Sequence, residues 1–197
     1  MSKQTAVRGR GLARWRGFTI IELVMVLALI GLLAGFAIPR INVARMKSDG
    51  AARLVRMLLM NAQRTSITRQ SNTIVSFDLA NSRIRIVEDY NNNDTLNTTD
   101  RVYWRALPEG VKFLTPTMAR VPGGSATSAL QGSDLRTVSS YLSLTFRRDG
   151  SASTDAEIYF AARTGVPTDF RAMTIDPGTG RTDLYRWTGT AWLRTTQ

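Results

Sequence analysis

Four oxygen-bearing side chains in the middle of the chain have the spacing of a calcium-binding loop. Asp89, Asn91, Asn93 and Asp100 stand at positions 1, 3, 5 and 12 of the segment DYNNNDTLNTTD, and an EF-hand loop places metal ligands at these positions. Asp94 stands where such a loop uses glycine, and Asp100 is shorter than the usual bidentate glutamate. We therefore favour an Asn- and Asp-rich connection between strands, with calcium as the alternative.

Other common site chemistries are excluded by composition. The chain has no histidine and no cysteine, which removes disulfides, thiol nucleophiles, the usual general base and the commonest zinc ligand. We find no Ser-x-x-Lys motif, glycine-rich phosphate loop or paired-carboxylate pattern. The sequence therefore predicts no catalysis and no required cofactor.

Basic residues near the carboxyl end suggest a second ligand, DNA. Arg181, Arg186 and Arg194 lie close in sequence to Tyr185 and Trp187, so they could combine phosphate contacts with base stacking. Acidic residues are interspersed among them. The preferred interpretation is an aromatic core with solvated arginines outside it, and DNA binding is the alternative.

The net charge of the chain is concentrated at its amino end. The formal charge is +11, and five basic residues precede residue 18 with no acidic residue among them. Removal of residues 1–17 would lower the charge to +6. The remaining charge is compatible with a solvated basic surface or with an anionic partner.

A long apolar segment follows this basic start. Residues 18–38 form a run of 21 residues in which Glu22 is the only charged side chain, and as a helix they would span roughly 30 Å of bilayer. Basic residues before the run predict a cytoplasmic amino end and translocation of the remainder. A plain signal anchor explains the hydropathy equally well.

A plain signal anchor does not explain the presence of Glu22. A charged group near the centre of a membrane helix costs about 2.5–3.5 kcal/mol. Glu22 lies four residues after Phe18, so cleavage between Gly17 and Phe18 would create an amine close to the level of the carboxylate. The amine of a neighbouring subunit could then neutralise Glu22.

The segment RGFTIIELVMVLALIGLLAG resembles the class III signal of type IV prepilins and type II secretion pseudopilins. The resemblance implies cleavage after Gly17 by a prepilin peptidase, N-methylation of Phe18, and a role for Glu22 in docking incoming subunits. In filaments of this family the later part of the helix can loosen, where this chain has Gly31, Gly35 and Pro39.

Hydropathy periods then change from helical to extended. Apolar residues such as Ala51, Val55, Leu59 and Ala62 recur at three- and four-residue steps, which predicts that one helix continues from Phe18 to about Thr68. Later segments alternate apolar and polar residues, as strands do. Residues 116–137 show no period and predict a long loop.

The fold class predicted is α+β, a long helix with a membrane half and an amphipathic half packed on an antiparallel sheet. The predicted parts are a cleaved leader (1–17), a transmembrane or filament-core helix (18–39), an amphipathic helix (40–70) and a β-rich head (71–197). Segments of the head, including RALPEGVKF, LTFRRDGSAS and MTIDPGTGRTDLYRW, resemble the GspH and FimT family of minor pseudopilins and minor pilins.

These resemblances imply a structural subunit, a minor pilin, of a type IV pilus or a type II secretion pseudopilus. The implied partners are other pilins or pseudopilins, the prepilin peptidase, the inner-membrane assembly platform and membrane lipid. The implied location is the inner membrane with the head in the periplasm, followed by the filament. A DNA-binding minor pilin and a membrane-anchored protein outside any filament are the alternatives.

Overall fold

The computed structural model describes residues 17–37, 43–121 and 127–195 of the chain. The backbone divides into two compact units, Met1–Asn42 and Val43–Gln197. The predicted leader up to residue 16 and the predicted bend at Pro39 lie outside the described residues. The prediction of one continuous helix from Phe18 to Thr68 also crosses undescribed residues, so it stays a prediction.

The first helix, α1, spans Ile20–Ala37. It begins two residues later than predicted because Thr19 caps it: the Glu22 amide donates to Thr19 Oγ1 at 3.2 Å, and the Leu23 amide donates to the Thr19 carbonyl at 3.1 Å. Apolar residues occupy all sides of the helix. Within the described ranges, no helix has the length and hydropathy that a membrane crossing requires.

The second helix, α2, spans Val43–Arg69 and is amphipathic. The predicted apolar positions form its buried face, with Ala51, Val55, Leu59 and Ala62 fully buried. The same face also buries two serines, Ser48 and Ser66, that apolar periodicity does not identify. The helix packs against strands of both sheets of the second unit, so its stability derives from tertiary burial as much as from helix propensity.

The strands of the second unit belong to two antiparallel sheets, and the α+β class is confirmed. In chain order the strands are β1 (Asn72–Asp78), β2 (Arg83–Asp89), β3 (Arg101–Ala106), β4 (Lys112–Phe113), β5 (Leu130–Gln131), β6 (Arg136–Val138), β7 (Tyr141–Phe146), β8 (Ala156–Ala161), β9 (Arg171–Ile175), β10 (Thr182–Trp187) and β11 (Trp192–Arg194). The sequence predicted a single sheet. The structure has two, because strands β8 to β11 pair with one another rather than with the first sheet.

The first sheet has the order β3-β2-β1-β7-β6, with β3 at one edge. Its central register aligns Val75 with both Ile86 and Leu144. These residues, with Phe77 and Ile84, join the main core against α2. The apolar residues predicted to face the core are therefore buried, but the polar residues that alternate with them, such as Ser76 and Arg85, are buried as well, so both faces of β1, β2 and β7 are covered.

The second sheet has the order β11-β10-β9-β8-β4, and β5 also pairs with β8. Ile158 in β8 lies opposite Met173 in β9, and both are fully buried. The prediction of a loop over residues 116–137 was wrong in part, because β5 lies within it and β6 begins at its end. Leu130 is buried against the core, so tertiary pairing orders a segment that has no period of its own.

Candidate functional site

The first candidate site is the start of α1. Gly17 and Phe18 precede the helix, and the Phe18 side chain is 78% exposed. Thr19 is the N-cap and Glu22 is the third helical residue, which is the Ser/Thr-x-x-Glu pattern of a capping box. Cleavage, methylation and docking remain predictions for these residues.

The capping box gives Glu22 a local reason to be present. A carboxylate in the first turn of a helix is stabilised by the unpaired amides and by the helix dipole, typically by about 0.3–1 kcal/mol. This signal was readable in the sequence as Thr19-x-x-Glu22. Capping and docking are compatible, because the capping bond joins the Glu22 backbone amide to the Thr19 hydroxyl, whereas docking would use the Glu22 carboxylate.

The second candidate site is the loop between β2 and β3, which carries the four predicted calcium ligands. Asp89 ends β2, and its Oδ2 accepts the Asp94 amide at 2.7 Å. Asn91 Oδ1 accepts the Asn93 amide at 3.2 Å, and Asn93 Oδ1 accepts the Thr95 amide at 3.0 Å. The loop thus coils through successive Asx turns.

The carboxylate of Asp100 closes the loop. Its Oδ2 accepts the Asn97 amide at 2.8 Å, and its Oδ1 accepts the Tyr90 amide at 3.4 Å. Leu96 packs on Ile74 and Val87 on the outer face of the first sheet. The structure therefore brings the last predicted ligand next to the residue that follows the first one.

Groups of three or more His, Cys, Asp or Glu side chains placed to hold a metal ion are absent from the residues that the structure describes. The loop is consistent with this, because two of its four candidate ligands are asparagines. Any metal bound there would depend on amide and carbonyl oxygens as well as on carboxylates.

The third candidate site contains the arginines predicted as DNA contacts. Arg186 and Arg194 line a cavity of about 400 Å³ together with Arg53 of α2. Arg181 and Arg194 line an adjacent cavity of about 410 Å³ with Arg56 of α2. The three predicted residues therefore lie on one side of the second unit, and α2 adds two arginines that the sequence analysis did not include.

Two features reduce the free charge of this basic side. Asp183 accepts from Arg181 Nε at 3.1 Å and from Arg194 at 2.5 Å. Asp49 accepts from Arg171 Nε at 2.6 Å, and Arg171 is 1% exposed. The last pair joins α2 to β9 and serves packing, since exposure is needed to contact a nucleic acid.

The aromatic residues near these arginines are partly in the interior: Trp187 is buried, whereas Tyr185 and Trp192 are half-buried and pack on a cluster that contains Tyr159 and Ala172. Trp187 is buried, and its ring lies 5.3 Å from that of Trp192 in an edge-on arrangement. Trp192 also contacts Tyr159 and donates from its indole nitrogen to the Ala119 carbonyl at 2.6 Å. These rings are therefore occupied with one another rather than presented for base stacking.

A buried ion-pair cluster that sequence analysis missed lies nearby. Arg120 bonds Glu157 through both Nε and Nη2, and the Tyr159 hydroxyl donates to Glu157 Oε2 at 2.7 Å. Burial, followed by the hydrogen bond to Glu157, raises the pKa of Tyr159 far above its usual value. The cluster ties the segment before residue 122 to β8, and no local sequence signal indicates it.

Comparisons with known proteins give a partial structural likeness. No protein-family model and no curated protein matches the chain. A structure of the minor pseudopilin EpsH from the type 2 secretion system of Vibrio cholerae is 12% identical, covers 71% of this chain and 97% of that chain, and has a TM-score of 0.46. A crystal structure of the same pseudopilin is 13% identical, covers 77% and 99%, and has a TM-score of 0.46. At this level the likeness does not assign a function.

Proposed function

We propose that the chain is a pilin-like structural subunit, inserted into a membrane-associated filament of the type IV pilus or type II secretion pseudopilus kind. The observation that carries this proposal is the start of α1: Gly17 and Phe18 directly precede an apolar helix whose one charge is Glu22. A helix that is apolar on all sides needs lipid or other apolar helices around it. Bundling with sibling helices supplies that environment.

The processing steps form part of the same proposal. Cleavage after Gly17 creates an amine at Phe18, which is then N-methylated, and Glu22 pairs with the amine of a neighbouring subunit. The prepilin peptidase, the inner-membrane assembly platform and membrane lipid are the partners that this sequence of events requires. The second unit, containing α2 and both sheets, forms the head in the periplasm.

The decisive experiment is mass spectrometry of the native amino terminus. We expect a mature chain that starts at Phe18 with a mass increase of one methyl group. An intact Met1, or an unmodified start at another residue, would contradict the proposal and favour a membrane-anchored protein outside any filament.

The two filament classes are distinguished by phenotype. Deletion of the gene, with surface pili, DNA uptake and secreted enzymes scored side by side, separates them. Loss of secretion alone assigns the chain to a secretion pseudopilus, whereas loss of pili assigns it to a type IV pilus.

DNA binding by the same subunit is the second candidate function. The observation that favours it is the shared location of Arg181, Arg186 and Arg194 beside Arg53 and Arg56 of α2. The packed aromatic rings weigh against base stacking, and Asp183 competes with phosphate for Arg181 and Arg194 but not for Arg186. A contact limited to phosphates is therefore the version that the geometry supports.

A further inference from the structure

We propose that the loop of residues 89–100 binds a calcium ion through Asp89, Asn91, Asn93 and Asp100. This site is independent of the filament role, which requires no metal. The ligand spacing in the sequence, taken alone, favours a plain connection between strands over a calcium site. The contacts of Asp89 in the folded chain change that preference.

Asp89 presents a buried carboxylate oxygen without a partner. Its side chain is 0% exposed, and Oδ1 has no hydrogen-bond donor among the described residues. Its other oxygen accepts the Asp94 amide inside the loop, so the carboxylate faces the loop interior. A buried anion with an unsatisfied oxygen is costly, and a cation within the loop would satisfy it.

Asp100 is placed to complete the ligand set. Because its Oδ1 accepts the amide of Tyr90, its carboxylate lies beside the residue that follows Asp89. First and last ligand positions must meet in this way for a 12-residue loop to surround one ion. Each oxygen has a second lone pair, so accepting an amide does not prevent coordination.

Asp94 occupies the loop position where an EF-hand uses glycine, but its backbone adopts the conformation that glycine would supply. Asp94 has φ of 58°, and Asn92 has φ of 58°, so both adopt the left-handed conformation that glycine usually supplies. Asp and Asn are the residues other than glycine that adopt it most readily. The Asp94 carboxylate contacts two residues outside the loop: Oδ1 accepts from Asn72 Nδ2 at 3.1 Å, and Oδ2 lies 3.6 Å from Arg136 Nη1.

The donor set predicts a weak site for a hard cation. Two of the four ligands are neutral, and Asn93 Oδ1 already accepts from the Thr95 amide, the Thr95 hydroxyl and Asn97 Nδ2, so binding requires the Thr95 hydroxyl and Asn97 to turn away. Loops with few charged ligands bind calcium with Kd of about 0.1–1 mM. Magnesium demands stricter octahedral geometry, so we expect calcium to be preferred.

The test uses the full chain in detergent, freed of metal with a chelator and titrated with CaCl₂ by calorimetry. Terbium luminescence sensitised by nearby tyrosine or tryptophan gives a second readout. We expect wild type to bind calcium with Kd of about 0.1–1 mM. Asp89→Asn and Asp100→Asn should each weaken binding by about tenfold or more, because each removes a charged ligand.

Asp149→Asn is the matched control. Asp149 is also an acidic Asx-turn residue, accepting the Ser151 amide at 2.9 Å, but it lies in the β7–β8 connection. It should bind calcium as wild type does. Absence of calcium binding by wild type up to about 10 mM, or binding by both loop variants that is as tight as that of wild type, would overturn the proposal. If Asp89→Asn does not fold by circular dichroism, Asp100→Asn decides the outcome.

Discussion

Glu22 lies in the capped first turn of α1, and docking of a neighbouring subunit is its proposed second role. The Glu22 amide bonds to the Thr19 hydroxyl, so the residue belongs to the cap, and under the proposed function its charge pairs with the amine of another subunit. The roles differ in what they require. Capping needs a hydrogen-bonding side chain, whereas docking needs a negative charge.

Substitution at Glu22 separates the two roles. We expect Glu22→Gln to retain the helix and membrane insertion while impairing incorporation into filaments, since glutamine can cap but carries no charge. Glu22→Val should also insert and fail to assemble. Cell fractionation measures insertion, and the amount of subunit in sheared filaments measures assembly.

Leu23→Ile is a suitable control, because it alters an exposed apolar neighbour without changing charge. It should assemble normally. Normal incorporation of Glu22→Gln and Glu22→Val into filaments would contradict the docking role and leave Glu22 as a cap alone.

At the scale of elements, Gln63 connects α2 to two turns of the second unit. Its Nε2 donates to the Gly150 carbonyl and to the Thr179 carbonyl, each at 2.8 Å. Gly180 follows with φ of 64°, and a Cβ there would lie 2.1 Å from the Gly150 oxygen. The β7–β8 and β9–β10 turns therefore meet at the helix through contacts that allow no side chain.

We predict that Gly180→Ala lowers the free energy of unfolding by about 2 kcal/mol or more, because alanine disfavours this φ and meets the Gly150 carbonyl. Gln63→Ala should lower it by about 1 kcal/mol through lost hydrogen bonds. Urea unfolding followed by tryptophan fluorescence measures both.

Gly178→Ala is the matched control in the same turn. Its Cβ would meet only Asp176 Oδ1 at 3.6 Å, an ordinary contact. The stability of this variant should stay near that of wild type. A Gly180→Ala protein as stable as Gly178→Ala would show that the turn can move away from α2.

The same elements show what the sequence could and could not predict. The buried face of α2 followed from residues such as Val55 and Leu59, because burial of one face imposes a helical period. Alternation predicted the core residues of β1 and β2, such as Val75, but not the burial of the polar residues between them. The division into two sheets did not follow. It depends on pairings such as Ile158 with Met173, which join distant segments of similar hydropathy.

The candidate sites divide in the same way. The proposed calcium ligands and processing residues are each close together in sequence, so ligand spacing predicted the former and the resemblance to prepilin signals the latter. The grouping of Arg186 with Arg53 required the packing of α2 on β10, which local patterns do not encode. The hydrogen bonds that Gln63 donates and that Asp49 accepts also join residues far apart in sequence, and local patterns do not predict them for the same reason.

At the scale of the whole molecule, the basic side of the second unit determines whether the subunit binds an anionic polymer. We predict that any affinity for duplex DNA falls steeply as salt rises, because phosphate contacts release counterions. The double variant Arg186→Gln/Arg194→Gln should lower the affinity and reduce the slope of log K against log salt by about one for each lost contact. Fluorescence anisotropy with the full chain measures both.

Arg105→Gln provides the control for charge alone, since Arg105 is an exposed arginine on β3 in the other sheet. It should have little effect. An equal loss from Arg105→Gln would indicate nonspecific attraction, and an affinity insensitive to salt would exclude the electrostatic contact altogether.

The charged edge of the first sheet would limit sheet-to-sheet association between neighbouring subunits of the proposed filament. Strand β3 pairs with β2 on one side, and its exposed residues include Arg101 and Arg105. A second copy that extended the sheet there in antiparallel register would place like charges beside one another, and charged edge strands resist such growth. In the proposed filament, where heads would be held at high local concentration, this charge would keep neighbouring heads from joining into a continuous β-ribbon, so that each stays a separate folded body.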